Sequence, residues 1–331
     1  MRNLPVKWGI SLPNRGALFG LASVDELIET AVFAEQSGVF ESVWFGDSLI
    51  HKPRLEAITM LAAVATHTKS VRLGTICMAS FPLRHPVLLA IQWASLDQIS
   101  KGRALLGVCI GGAHEGELRA FGVKREERVG RMKEGIEVLR KIWGDEEFTH
   151  RGKFYTLENY NIVPKPVQKP PPIWIAVSPE REQVGDQVVD QAMRRVGLLA
   201  DGYITMGVTA AELGKRLNVI EQTASEISKD LSKFEVAIHG MVNINNDKQA
   251  AYAQAKDYFN HYYGPGYPPE SLIKIWLAHG PPKDCARLIQ EWIDMGITTP
   301  VLRFTARHQI SQVKRFIDEV LPLLRLNSGL E

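Results

Sequence analysis

Short apolar segments alternate with segments of helical periodicity along the whole chain. Apolar runs bounded by turn residues predict eight strands, at residues 6–12, 42–45, 71–77, 104–110, 172–177, 202–205, 234–242 and 300–304. Helical spacing predicts helices at 24–37, 55–66, 86–99, 127–143, 183–199, 210–228, 248–262, 282–295 and 310–324, with Ser23 as N-cap of the first. Eight such units predict an α/β fold, one (β/α)8 TIM barrel spanning residues 1–331 as a single domain.

Two segments, at about residues 145–171 and 263–281, interrupt this alternation. The first contains the hairpin-like FTHRGKFYTL and the proline-rich IVPKPVQKPPP, and the second begins within YYGPGYPPE. A proline-rich run is also typical of a linker between domains. Neither half of the chain would complete a sheet alone, so we favour insertions that cover the carboxyl-terminal mouth of the barrel. Aromatic residues in and beside the second segment are candidates for a lid or for oligomer contacts; they are Tyr262, Tyr263, Tyr267 and Trp276.

Composition narrows the class of protein. The chain has 331 residues, of which 45% are hydrophobic and 23% charged, and its formal net charge is +2. Charges of both signs are interspersed, so neither a nucleic acid nor a membrane surface is indicated as a partner. The N-terminus lacks a signal-peptide pattern, and we expect a cytoplasmic protein. The cysteines Cys77, Cys109 and Cys285 are widely spaced, which indicates neither a disulfide framework nor a metal site.

The familiar catalytic motifs are missing from the sequence. It contains no P-loop, no HExxH and no GxSxG, and its glycines do not form GxGxxG. In parallel α/β folds the chemistry lies at the carboxyl ends of the strands. The histidines that follow predicted strands, His51, His85 and His114, are therefore candidates for proton transfer. A histidine at such a position is more often simply a surface or hydrogen-bonded residue.

Several segments, taken in order, resemble the luciferase-like flavin-dependent oxidoreductases. These segments are SVWFGDS, VRLGT leading into PLRHP, LDQISKGRALLGVCIGG, GKFYTL, PKPVQKPPPIWIAV and LLADGYIT. The group includes bacterial luciferase, alkanesulfonate monooxygenases and deazaflavin-dependent reductases. The order and spacing of the segments over nearly the whole chain carry the resemblance, and the resemblance implies a (β/α)8 barrel.

The resemblance also implies a cofactor site. It places a non-prolyl cis peptide between Ile76 and Cys77, behind the flavin ring, where the residues alone predict an ordinary buried strand. It places Cys109 beside the ring and Ser178 near the flavin phosphate, although Ser178 before a proline is also a common turn former. Arg181 is a candidate charge partner for the phosphate and is equally explained as a solvated surface residue. The full set of implied cofactor residues is Asp47, Ser48, Ile76, Cys77, Cys109, Gly111, Val177, Ser178, Arg181, Thr205 and Met206.

One departure from the family pattern bears on the cofactor. Ser48 stands where many relatives carry a histidine, to which proton transfer is often assigned in deazaflavin-dependent members. The resemblance without that histidine favours reduced FMN, delivered by a separate flavin reductase to a monooxygenase that uses O2 on a small organic substrate. The alternatives are hydride transfer with a deazaflavin coenzyme (8-hydroxy-5-deazaflavin) and a non-catalytic flavin-binding barrel. We expect a homo-oligomer, either a dimer or a tetramer.

Overall fold

The computed structural model describes residues 4–179 and 181–326. The strands in this part of the chain are β1 Trp8–Leu12, β2 Phe40–Phe45, β3 Arg72–Thr75, β4 Ala104–Val108, β5 Phe148–Arg151, β6 Thr156–Tyr160, β7 Ile173–Ala176, β8 Gly202–Thr205, β9 Glu235–Ile244, β10 Leu277–Gly280 and β11 Thr299–Phe304. Strands β1, β2, β3, β4, β7, β8, β9 and β11 pair in parallel in that order, and β11 returns to β1. The predicted TIM barrel is confirmed.

Helices cover the outside of the barrel. They are α1 Val24–Gln36, α2 Ala57–His67, α3 Pro86–Ser100, α4 Glu115–Ala120, α5 Arg128–Trp143, α6 Arg181–Val184, α7 Asp186–Leu199, α8 Ala210–Glu226, α9 Lys248–Tyr263, α10 Glu270–Trp276, α11 Pro282–Asp294 and α12 Gln309–Arg315. Ser23 caps α1 as predicted, since its hydroxyl accepts from the Glu26 N–H at 3.1 Å in a capping box. In the described chain, none of these helices has the length and apolar character needed to cross a membrane.

The helix predicted at 183–199 is divided in the structure. Gly185, with a φ of 81°, separates α6 from α7. The helix predicted at 310–324 likewise ends at Arg315, and a π-helical turn, Phe316–Val320, follows it. These differences concern where helices break. The sequence did not predict α4, α10 or β10, whereas the eight barrel strands follow in the predicted order.

An ion-pair cluster fills the amino-terminal end of the barrel. The carboxylate of Glu235 on β9 accepts from both terminal nitrogens of Arg72, each at 2.8 Å, and from Lys7 Nζ at 3.1 Å. The hydroxyl of Thr299 also donates to it at 2.7 Å. Because its oxygens are satisfied by these donors, the buried carboxylate stays ionised as part of the barrel floor.

Two tryptophans occupy the interior above this floor. The rings of Trp44 and Trp174 lie 5.6 Å apart at an angle of 43°. A Cβ on Gly74 would collide with the Trp44 indole, and a Cβ on Gly202 would collide with that of Trp174. A glycine on the neighbouring strand therefore makes room for each indole, and the interior is packed solid at this level.

The two insertions lie in different places. Residues of the first form the antiparallel hairpin β5–β6, which packs on the outer side of α5 rather than over the mouth. The reason is the Glu134 carboxylate of α5, which accepts backbone N–H groups of Lys153, Phe154 and Tyr155 at the hairpin turn. The second insertion contains α10 and β10, and β10 extends the sheet by pairing with β9. Its aromatic residues lie at the carboxyl end of the barrel, as expected.

Candidate active site

An irregularity between β3 and β4 shapes one side of the mouth. Regular pairing ends at Gly74, and beyond it the Thr75 hydroxyl donates to the Gly107 carbonyl at 2.7 Å and accepts from the Gly107 N–H at 3.0 Å. The peptide bond between Ile76 and Cys77 is cis, as the resemblance implied. Pairing resumes where Met78 N–H donates to the Gly107 carbonyl at 2.7 Å. The chain therefore bulges out of the ladder at Ile76 and Cys77.

Two thiols and a glycine line this bulge. The sulfur atoms of Cys77 and Cys109 lie 2.7 Å apart, and both side chains are half-buried. The hydrogen bond to Cys109, together with burial, raises the pKa of Cys77 well above its ordinary value, so the group stays a neutral thiol. Gly111 has a φ of 67°, and a Cβ there would collide with the Ala79 carbonyl oxygen. The loops after β3 and β4 therefore lie in direct contact, and Arg128 of α5 donates to the Gly111 carbonyl at 2.7 Å beside them.

Asp47 and Ser48 shape the loop after β2. Buried Asp47 accepts from the Ser80 N–H at 2.8 Å and from Arg84 Nη2 at 3.1 Å. Arg84 thus braces the loop after β3. The hydroxyl of Ser48 accepts from the Lys52 N–H at 3.2 Å and folds the loop back on itself. Both side chains are therefore hydrogen-bonded to other groups of the protein.

The carboxyl ends of β7 and β8 are tied together by Ser178. Its hydroxyl donates to the Met206 carbonyl at 2.6 Å, accepts from the Met206 N–H at 3.2 Å and lies 3.1 Å from the hydroxyl of Thr205. Val177, just before it, is half-buried. The Ser178 hydroxyl thus uses its hydrogen bonds to hold the ends of β7 and β8 together. Arg181 begins α6, and its side chain lies outside the described part of the structure.

The three histidines expected to transfer protons separate into two groups. The rings of His51 and His114 stack with their centres 3.0 Å apart. Burial, followed by the nearby His114 and Lys52, lowers the pKa of His51, so this imidazole is neutral at pH 7. His85 lies apart from them because it caps α3, where its Nδ1 accepts from a backbone N–H at 3.3 Å, and it faces the hairpin.

A fourth histidine, His239, was missed by sequence reasoning. It lies on β9, whose alternate residues face the barrel interior, and it is 8% exposed. Its Nε2 has no hydrogen-bond partner among the described residues. Burial, and then the charges of Arg303 and Arg54, lower the pKa of His239 well below its ordinary value. The alternation of EVAIHGMVN, with a histidine at an inward position, is the signal that could have revealed it.

Aromatic side chains cover the β9 and β11 side of the mouth. We call these residues the aromatic cluster: Tyr258, Phe259, Tyr262, Tyr263, Tyr267 and Trp276. Tyr258 stacks on Tyr262 at 5.4 Å, and Phe259 stacks on Trp276 at 5.7 Å. Arg303, from β11, lies beneath the cluster and donates to the Ser11 hydroxyl at 2.6 Å. These aromatics pack against each other and against the barrel.

The mouth therefore has two unlike sides. Around β3 and β4 the bulge, the two thiols and Gly111 present an uncharged surface suited to one face of a planar ring. Around β1, β9 and β11 several buried polar atoms have no hydrogen-bond partner in the described chain; among them are Asn14 Oδ1, Arg15 Nε and Nη1, His239 Nε2, Tyr258 Oη, Tyr262 Oη and Arg303 Nε. Buried polar atoms are rarely unpaired unless a ligand or water meets them. The geometry fits a flat cofactor on the first side and a polar substrate on the second.

Comparison with known proteins connects this geometry to curated relatives. The F420-dependent glucose-6-phosphate dehydrogenase of Amycolatopsis mediterranei (strain U-32) is 26% identical over 329 residues, which cover 91% of this chain and 94% of the relative. The protein of the same name from Kineococcus radiotolerans is 25% identical, covering 91% of this chain and 93% of its own.

Solved structures share the fold. Monooxygenase RslO1 from Streptomyces bottropensis has a TM-score of 0.78 at 21% identity, over 96% of this chain and 99% of its own. An F420-dependent secondary alcohol dehydrogenase in complex with an F420-acetone adduct has a TM-score of 0.76 at 20% identity, with the same coverage of 96% and 99%. Residues 6–299 match the family described as luciferase-like monooxygenase. The chain is thus an oxidoreductase of the luciferase-like class and belongs to the luciferase-like monooxygenase family.

Proposed function

We propose that this protein is a deazaflavin-dependent oxidoreductase that moves a hydride between coenzyme F420 and a carbon bearing a hydroxyl or carbonyl group. The observation that carries the proposal is the match over 91% of the chain to relatives named F420-dependent glucose-6-phosphate dehydrogenase. This match favours the deazaflavin alternative over the FMN-dependent monooxygenase expected from the sequence.

The argument for FMN rested on Ser48 standing in place of a histidine. That argument loses its weight because the mouth contains other imidazoles, the stacked pair His51 and His114 and the buried His239. A missing histidine at one position does not remove proton transfer when another neutral imidazole faces the same space.

The bulge would hold the coenzyme. Ile76, Cys77, Cys109 and Gly111 form an uncharged surface at the carboxyl ends of β3 and β4. When bound there, the deazaflavin ring supplies a hydride acceptor or donor and needs no oxygen. The protein's part is to orient the substrate carbon towards the ring and to exclude water.

Oxidation of an alcohol also needs a base. As the substrate C–H bond breaks, its electron pair leaves with the hydrogen as hydride, and the hydroxyl proton must pass to the protein. His239 is the first candidate to receive it: burial and the charges of Arg303 and Arg54 lower the pKa of His239 and keep the imidazole unprotonated, and its Nε2 has no hydrogen-bond partner in the described chain. The stacked His51, nearer the solvent, is the second candidate.

Cofactor binding is the decisive test. We would titrate the purified protein with F420 and, separately, with FMN, following coenzyme fluorescence. We expect saturable binding of F420 and much weaker binding of FMN. Gly111→Ala should weaken F420 binding because the added Cβ meets the Ala79 carbonyl, whereas Gly116→Ala, with open space around it, should not. Binding of FMN without binding of F420 would overturn the proposal.

The role of His239 needs a second measurement. Reduction of F420 would be followed over a panel of secondary alcohols, hydroxy acids and sugar phosphates. For any substrate found, His239→Asn should lower kcat by about a hundredfold or more while F420 binding is retained. Unchanged kcat in this variant, with loss of kcat in His51→Asn, would move the base to the stacked pair.

A further inference from the structure

Three cationic side chains meet at the carboxyl ends of β1 and β2. Arg15 follows β1, and Lys52 and Arg54 follow β2. Lys52 Nζ lies 5.5 Å from the ring centres of both Tyr263 and Tyr267. The Asn14 amide donates to the Leu55 carbonyl at 2.7 Å, and this contact between the two loops holds Arg15 beside Arg54.

Arg303 brings a fourth cation close to them. A Cβ on Gly46 would collide with Nη1 of Arg54 and lie 3.9 Å from Nη2 of Arg303. The guanidinium carbons of Arg54 and Arg303 lie 5.9 Å and 4.9 Å from the same ring, that of Tyr262. The absence of a side chain at Gly46 thus lets two guanidinium groups come together.

No acid balances this charge. Among residues 4–179 and 181–326, no carboxylate lies within ion-pair distance of Arg15, Lys52, Arg54 or Arg303, whereas neighbouring Arg84 pairs with both Asp47 and Glu56. The pKa of Lys52 is lowered by burial and then by the charges of Arg15 and Arg54. Like charges held close together at a partly buried site destabilise the folded protein.

Several donors of these cations are also unused. Nε and Nη1 of Arg15 and Nε of Arg303 are buried without a hydrogen-bond partner in the described chain, and Arg303 is only 2% exposed. Unpaired buried donors on a cation are costly, and an acceptor oxygen would satisfy them. A guanidinium fork matches the oxygens of phosphate and carboxylate groups.

We propose that Arg15, Lys52 and Arg54 form a subsite for an oxyanionic group of the substrate, a phosphate or a carboxylate. The subsite rests on the proposed function, since it places that group beside His239, where the reacting carbon would lie. Tyr263 and Tyr267 cover Lys52 and shield the bound oxygens from water. Arg303 lies behind the subsite and adds to the positive electrostatic potential there. The protein thereby selects anionic substrates and rejects neutral alcohols of the same size.

Direct anion binding tests this without any coenzyme. Inorganic phosphate and, in a separate series, acetate would be titrated by calorimetry into wild type, Lys52→Met, Arg54→Met and Arg54→Lys at constant ionic strength. The control is Lys215→Met, an exposed lysine on α8. We expect one site in wild type and Lys215→Met, about tenfold or more weaker binding in the two methionine variants, and partial recovery in Arg54→Lys.

Each outcome bears on the inference. Saturable binding of phosphate identifies a phosphate subsite, and binding of acetate alone identifies a carboxylate subsite. Binding that is missing in wild type, or equal in wild type and both methionine variants, overturns the subsite. Should Arg54→Met fail to fold, Lys52→Met carries the same comparison. Repeating the titration with F420 present separates the two proposals: failure of F420 to bind defeats the proposed function, whereas failure of anions to bind to the F420-loaded protein defeats only the subsite.

Discussion

The guanidinium carbon of Arg303 lies 4.9 Å from the ring centre of Tyr262. Arg303 belongs to barrel strand β11 and points inward, whereas Tyr262 comes from the last turn of α9, outside the barrel. Both side chains are buried, so the ring meets a cation with little water around it. This contact fastens the aromatic cluster to the barrel interior and places it over one side of the mouth.

The ring of Tyr262 should matter far more than its hydroxyl. Tyr262→Ala is expected to lower the free energy of unfolding by about 3–5 kcal/mol, because a fully buried aromatic ring is lost. Tyr262→Phe keeps the ring and removes a hydroxyl that has no hydrogen-bond partner in the described chain, so it should change the free energy of unfolding by less than about 1 kcal/mol. Urea unfolding of the two variants gives the comparison, and equal losses would show that the ring is not the anchor.

Glu235 is expected to be essential to the barrel floor. Burial raises the pKa of its carboxyl, but the hydrogen bonds and charge of Arg72 outweigh this and lower it. Because the folded pKa is depressed, the stabilisation is present above the ordinary pKa and is lost as the pH falls through the folded value. Glu235→Gln should cost about 3–5 kcal/mol in urea unfolding at pH 7.

An exposed ion pair provides the control for Glu235. Arg151 and Glu158 pair on the hairpin with side chains 73% and 54% exposed. Glu158→Gln should change the free energy of unfolding by less than about 1 kcal/mol. Similar losses from both substitutions would mean that burial does not decide the strength of the Glu235 cluster.

His239 should make the protein sensitive to mild acid. Its pKa is lowered in the folded state, by burial first, so the unfolded chain binds more protons once the pH falls below the ordinary value of about 6.5. Stability should therefore be full above that pH and fall on acidification. Between about pH 5 and 7, the free energy of unfolding should change less with pH in His239→Gln than in wild type, and the difference from wild type should be smaller for His51→Gln. Parallel profiles for wild type and His239→Gln would contradict this.

Gly74 should not tolerate a side chain. A Cβ there would collide with the Trp44 indole, so Gly74→Ala is expected to destabilise the protein by about 1–3 kcal/mol. Gly214, inside α8, has nothing within 4 Å of a Cβ. Gly214→Ala should stabilise by up to about 1 kcal/mol through helix propensity. Thermal unfolding should move Tm in opposite directions for the two, and a shift of the same sign would contradict the packing argument.

The sequence by itself determined the order of the barrel strands, the main helices between them and the cap at Ser23, because these depend on local periodicity and on side chains a few residues apart. The resemblance located the cis bond between Ile76 and Cys77. The insertions were found, but the position of the hairpin depends on Glu134, and no local pattern connects a helix carboxylate to a turn about twenty residues later.

Only the tertiary structure decided which groups share the mouth. It separates His85 from His51 and His114, and it brings Lys52, Arg54 and Arg303 to one aromatic cluster from opposite ends of the chain. Period-two alternation predicts that His239 and Arg303 face inward. Their neighbours, and hence their charge and missing hydrogen bonds, depend on barrel closure and on loop paths, which are set by contacts between residues far apart in sequence.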